Sequence, residues 1–144
     1  MTKRKNLILV SLLLLSLIGF VDSLFIHVKS VENYPISCFV IEGCDLVLYS
    51  SYATLFGVHL PWFGMAFYFL LFLITALYLG RSKKYLINLL IILVSVGVLF
   101  SLYLIYLQAF VINNFCSYCL LSLLDVLISL LLVVMLKNRI PVAF

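Results

Sequence analysis

Charge is what this chain lacks. Asp, Glu, Lys and Arg supply 10% of its 144 residues, while 67% are hydrophobic. Ordinary soluble domains are about a quarter charged and about half apolar. A water-soluble fold cannot cover so much apolar surface with so few charges, so the chain reads as an integral membrane protein. Its apolar runs also lack the polar–apolar alternation that a membrane barrel requires, which leaves helices as the spanning element. No small-x-small cleavage motif follows the first run, so that run is expected to remain as a helix rather than be removed as a secretory signal. The spans hold few polar residues and show no inverted repeat, which argues against a transporter. The net charge of +4 does not point to nucleic acid, because the basic residues cluster at span ends rather than on one face.

What the chain does have is hydrophobic length. A span needs about 20 apolar residues, and four segments qualify: residues 6–27, 62–80, 85–112 and 117–136. The expected fold is an all-α membrane protein, a four-transmembrane-helix bundle forming a single membrane domain over residues 1–144. The lipid bilayer is its solvent. Lys3, Arg4 and Lys5 precede the first span, Arg81, Lys83 and Lys84 fill the turn between the second and third, and Lys137 and Arg139 follow the fourth. Only Lys29 lies in the other set of loops, a bias of eight to one. Both termini are therefore expected to be cytoplasmic in a multi-pass protein of the cell (plasma) membrane. The outer face then carries residues 28–61 and the short turn Asn113-Asn114-Phe115.

The outer loop is too long for a simple turn. Asp45 follows a Gly43-Cys44 corner and is positioned to cap a helix. Leu46, Val47, Tyr49, Tyr52, Ala53 and Phe56 give an amphipathic helical pattern that breaks at Gly57. A short interfacial helix is expected there, lying flat over the outer mouth of the bundle. Gly57 and Pro61 bracket the return into the second span.

Four cysteines fall into two pairs, both on the expected outer side, where disulfides persist. Cys116-Ser117-Tyr118-Cys119 is a C-x-x-C, the spacing that lets two thiols close and open a readily reduced disulfide. Cys38 and Cys44 flank the loop Phe39-Val40-Ile41-Glu42-Gly43. Facing the same side, the two pairs form a relay for electrons. The alternatives are a purely structural Cys38–Cys44 staple, inert buried thiols at Cys116 and Cys119, and zinc, which C-x5-C with C-x2-C fits poorly. Cys116 falls at the start of a helix, where exposed N–H groups favour a thiolate. Cys119 lies about 4.5 Å deeper at 1.5 Å per residue, a depth suited to a buried acceptor.

Other polar residues invite two readings each. Ser50 or Ser51 is positioned to hydrogen-bond a thiolate or an acceptor oxygen, or simply to face the interface. Asp22 lies near the outer end of the first span. Asp125 lies nine residues beyond Cys116, near mid-membrane, where a carboxyl is costly and often functional. At 100° per residue it points roughly opposite Cys116, which favours a packing or hydrogen-bonding role. His27 and His59 sit at interfaces. Phe63, Phe67, Tyr103 and Tyr106 are candidates to line a pocket or to form ordinary core.

The order of these features resembles the vitamin K epoxide reductase family. The residues that carry the resemblance are Cys38 and Cys44, Ser50 and Ser51, the stretch Leu55-Phe56-Gly57-Val58 continuing to Phe63-Gly64 and Tyr68, and then Cys116 and Cys119. The resemblance implies a four-helix bundle around a quinone, with Cys116 and Cys119 catalytic and Cys38 and Cys44 as the redox shuttle. Ser50 is the better match to the family's serine, and with Phe63, Phe67 and Tyr103 it makes the expected quinone-binding set. The DsbB-type quinone reductases place their two pairs in the reverse order. Animal members of the family carry an asparagine near the start of the second span and a tyrosine four residues after the C-x-x-C. Here those positions are Val58-His59-Leu60-Pro61 and Leu123. The departures turn the expected acceptor toward ubiquinone or menaquinone, with vitamin K as the alternative.

No thioredoxin-like domain is recognisable in the 144 residues, so the resemblance implies a separate thioredoxin-like (DsbA-type) partner. The expected activity is thiol:quinone oxidoreduction supporting disulfide formation. The reduced partner attacks Cys38, the released Cys44 attacks Cys116, and Cys119 passes two electrons to the quinone. The competing expectation is a non-enzymatic membrane assembly factor or scaffold with structural cysteines.

Overall fold

In lipid every backbone N–H and C=O must find its partner within the protein, and a helix satisfies them all within one segment. The computed structural model, which describes residues 2–32, 35, 38 and 43–139, meets this demand with four long helices. They are α1 (Thr2–Val31), α3 (Leu60–Arg81), α4 (Lys84–Tyr106) and α5 (Ser117–Asn138), with the five-residue α2 (Cys44–Leu48) between the first two. A π-helical turn, Leu107–Ile112, continues α4. The four long segments have the length and apolarity to cross a membrane. The chain is thus an all-α, multi-pass membrane bundle. The 30 residues of α1 span about 45 Å at 1.5 Å each. That exceeds the hydrocarbon thickness of about 30 Å, so the helix tilts or extends into the headgroup layer.

The helices close into a ring in the order α1, α3, α4, α5. The most extensive interface joins α1 to α3, the next joins α4 to α5, and α5 returns to α1. Leu9, Leu12, Leu71, Leu90, Val94, Val133 and Leu136 meet along its axis with no more than marginal exposure. At the end bearing Arg81, Lys83 and Lys84, the chain turns through Ser82 in the left-handed conformation, φ 46°. The Ser82 N–H donates to the Tyr78 carbonyl at 2.8 Å. Lys5 reaches across from α1, donating to the Ser82 hydroxyl at 3.1 Å with its ammonium 5.0 Å from the centre of the Tyr78 ring. A cation over an aromatic face fits a span end, where the stem stays apolar and the head stays wet.

The segment between α1 and α3 departs from expectation. The helical pattern read over residues 46–56 holds only through Leu48. A single 3-10 turn, Ser51–Ala53, follows, and then a two-stranded antiparallel hairpin, β1 (Thr54–Leu55) and β2 (Val58–His59). Thr54 faces His59 and Leu55 faces Val58. Phe56 (φ 54°) and Gly57 (φ 79°) form its tip, the two positive dihedrals that a tight hairpin loop requires. Gly57 therefore terminates the pattern by turning the chain back, and Tyr52, Ala53 and Phe56 do not belong to one helix. The expected cap at Asp45 is also corrected. Gly43 is the residue preceding α2, and Asp45 lies within its first turn rather than at the cap position. Pro61 opens α3, where its missing N–H costs nothing.

Candidate functional site

Cys38 and Cys44 are joined in a disulfide, with Cα atoms 5.9 Å apart. Cys44 begins α2 and is 1% exposed. Its position depends on Gly43, whose backbone has φ 140°. A Cβ there would lie 3.2 Å from the Asn114 side-chain oxygen and 3.3 Å from the Phe115 carbonyl. Only glycine lets α2 close so tightly on the turn between α4 and α5. That turn leads directly into Cys116, which is fully buried. Cys44 and Cys116 share one hydrophobic cluster with Ile26, Val47, Leu48 and Tyr118, and Cys38 and Cys119 pack against it. Both pairs are thus gathered at one end of the bundle, with Cys116 and Cys119 as free thiols.

Cys116 immediately precedes the first turn of α5. The hydrogen bond from the Cys119 thiol, followed by the N–H groups of Cys119 and Tyr118, holds the Cys116 thiol below its ordinary range. Burial and the Asp22 carboxyl oppose the shift. The helix start therefore supplies the donors that a thiolate needs.

Gln108 escaped the sequence reading. It is 1% exposed, in the π-helical turn that ends α4. Its side-chain oxygen accepts the Cys116 N–H at 2.9 Å, and its side chain also hydrogen-bonds Cys119. The Asn114 N–H donates to the Gln108 carbonyl at 3.1 Å, tying the same residue to the turn that Gly43 touches. The signal available in the sequence was a lone amide inside an apolar run, eight residues before Cys116. π-Helical turns inside α-helices often mark functional sites.

Inward of the cysteine cluster lies a cavity of about 270 Å³. Its lining is mainly apolar, with Phe63, Phe67, Phe100, Leu104 and Val126 among the walls. Cys119 forms part of its surface. Asp22, Ser23, Tyr68, Tyr118 and Ser122 make one polar wall. The Tyr68 and Ser122 hydroxyls are 2.8 Å apart, and Tyr68 also hydrogen-bonds Asp125. Asp125 is 7% exposed, in keeping with a hydrogen-bonding role.

The four expected quinone-binding residues are divided. Phe63 and Phe67 line the cavity. Ser50 does not; its hydroxyl donates to the Val47 carbonyl at 2.7 Å and closes the turn after α2. Tyr103 is 47% exposed and also lies away from the cavity, as does Tyr106, which stacks on Phe110 with ring centres 5.2 Å apart. Helical spacing made these aromatics equivalent, and only the ring order of the helices separates them. His27 packs edge-on against Trp62, ring centres 4.9 Å apart.

The profile of the vitamin K epoxide reductase family matches residues 10–135, a stretch that contains all four cysteines and reaches into all four long helices. No curated protein matches the chain.

Proposed function

This chain belongs to the vitamin K epoxide reductase family, and from that premise we propose that it is a membrane thiol:quinone oxidoreductase supporting disulfide formation. Electrons enter from a separate thioredoxin-like protein through Cys38 and Cys44, pass to Cys116 and Cys119, and leave on ubiquinone or menaquinone. One observation carries this reading. Cys116 shares a buried cluster with Cys44, while Cys119, its C-x-x-C partner, lines an apolar cavity. Each thiol of the pair thus has its own exchange partner.

The cavity suits a quinone. Apolar cavities of about 150 Å³ admit a benzene ring, so about 270 Å³ has room for a substituted six-membered ring. A bound quinone supplies an acceptor for two electrons and two protons. Phe63 and Phe67 offer apolar faces to a ring, and the Tyr68 and Ser122 hydroxyls offer donors to an oxygen at its edge. The thiol steps need no further group. The partner's thiolate attacks the Cys38 sulfur of the loop disulfide and releases Cys44. Cys44 attacks the Cys116 sulfur of the oxidised C-x-x-C and releases Cys119 as a thiolate beside the cavity; the partner's second thiol then releases Cys38, which attacks Cys44, re-forms the loop disulfide and frees Cys116.

The bias of basic residues supports cytoplasmic termini and an outward-facing cysteine end in the cell membrane. The test is quinone reduction by purified protein in detergent, with a reduced thioredoxin-like donor or a small dithiol. The parent turns over with both. Cys119→Ala is inactive with both, and Cys38→Ala retains only the small dithiol. A parent inactive with every quinone would return the cysteines to a structural role in a scaffold.

A further inference from the structure

Transfer of electrons from a dithiol to a quinone leaves protons to be moved. As the Cys116–Cys119 disulfide forms, two S–H bonds break and two electrons leave. The acceptor takes up those two electrons and two protons on its oxygens. The reaction balances without another reactant, but the sulfurs and the acceptor oxygens are separate points, and the protons have to pass between them.

The polar lining of the cavity places proton-carrying groups beside Cys119. Asp22, on α1, lines the cavity and interacts electrostatically with both Cys116 and Cys119. It interacts in the same way with Asp125 on α5. Asp125 accepts a hydrogen bond from Tyr68 on α3, and Tyr68 is bonded to Ser122. Tyr68 and Ser122 both return to the cavity wall. The second Asp125 oxygen, Oδ2, is buried with no hydrogen-bond partner among the described residues. A buried carboxyl oxygen left open in this way costs free energy that packing alone does not recover. The titratable groups around Asp22 are Cys116, Cys119, Tyr118 and Asp125 from α5 and its start, and Tyr68 from α3; α4 contributes Ser101 to the same cavity and no titratable side chain.

We propose that Asp22, Asp125 and Tyr68 form a proton conduit that carries thiol protons to the acceptor oxygens in the cavity. The assignment rests on the thiol:quinone reading above. Asp22 takes a proton as a thiol loses it, passes it to Asp125, and Asp125 replaces the proton that the Tyr68 hydroxyl donates at the cavity wall. Each passage moves one proton and restores all three groups, and two passages complete the reaction.

Infrared difference spectroscopy of the protein in lipid nanodiscs tests this without a quinone. The thiols are cycled with a small dithiol and an oxidant. The expected result is a carboxyl C=O band that changes with thiol redox state and is altered in both D22N and D125N. A second measurement is the pH profile of quinone reduction. D125N and Y68F should lower kcat by about 100-fold, the lower end of what a positioned proton-transfer group contributes. The loss should deepen as pH rises and protons grow scarce. Asn keeps an acceptor for the Tyr68 hydroxyl, and Phe changes no charge, so the two variants do not share one route to misfolding. Quinone reduction with no carboxyl band, or with D22N and D125N at parental rates across the pH range, overturns the conduit alone. A parent that cycles its thiols but reduces no quinone overturns the function and the conduit together.

Discussion

The side-chain oxygen of Gln108 accepts the backbone N–H of Cys116 at 2.9 Å, so the last turn of one span fixes the residue that leads into the next. The same side chain reaches the Cys119 thiol. One buried amide thereby contacts both residues of the C-x-x-C. Gln108→Leu removes it while keeping the volume apolar. A buried N–H left without an acceptor costs about 1–3 kcal/mol, to be read as a lowered thermal midpoint in detergent. If about 1.4 kcal/mol of that falls on the transition state, quinone reduction slows about tenfold. An unchanged midpoint and rate would remove Gln108 from the site.

Cys116 should titrate early. Hydrogen bonds from Cys119 and from the start of α5 depress its thiol, so its thiolate fraction rises at lower pH than the ordinary value of about 8.5. For an acid depressed in the folded state, the contribution to stability is full above the unfolded value and is lost as pH falls through the folded one. The reduced protein should therefore show thiolate ultraviolet absorbance below pH 8.5 that is missing in Cys116→Ser. Absorbance that appears only above pH 8.5 would contradict the geometry.

Gly43 is the point of closest approach between α2 and the turn before Cys116, so substitution there tests the docking of α2. Gly43→Ala forces an alanine to φ 140° and against Asn114, a conformation that costs about 1–3 kcal/mol. The loop disulfide should shift away from Cys116. Turnover driven by a protein donor should fall about tenfold, by the same conversion, while turnover driven by a small dithiol persists. Equal losses with both donors would mean that the substitution damages the bundle rather than the docking of α2.

Gly97 governs the cavity from the opposite wall. A Cβ there would stand 2.5 Å from the Phe67 ring and 3.1 Å from the Val126 side chain. Gly97→Val should drive Phe67 into the cavity and raise KM for quinone more than it lowers kcat. Overpacking of this kind costs about 1–3 kcal/mol in stability. A lower kcat at unchanged KM would show that the ring binds elsewhere.

The spans were legible because hydrophobic length is a one-dimensional property, and the four cysteines because their spacing is. The end of α2 was not, since Tyr52 and Phe56 fit a helical period equally well until the positive dihedrals at Phe56 and Gly57 fold the chain back. Phe67 and Tyr103 were indistinguishable aromatics in the sequence; the ring order of the helices directs one to the cavity and the other to the outer surface. Gln108 was hidden for a related reason. Its two partners lie across a turn, and a π-helical register cannot be read from a pattern that assumes 3.6 residues per turn.

The ring order has a consequence for how the protein is made. Chains are synthesised from the N-terminus, so α1 and its Asp22 reach the bilayer well before α5 delivers Cys116, Cys119, Ser122 and Asp125. Because α5 docks against both α4 and α1, the last span to arrive closes the ring. Until then Asp22 and Tyr68 have none of their α5 partners, and the cavity lacks a wall. A nascent chain stalled before α5 would therefore leave Asp22 and Tyr68 open on the side that α5 covers, which makes arrival of the final helix the step that both closes the cavity and shields the carboxyl.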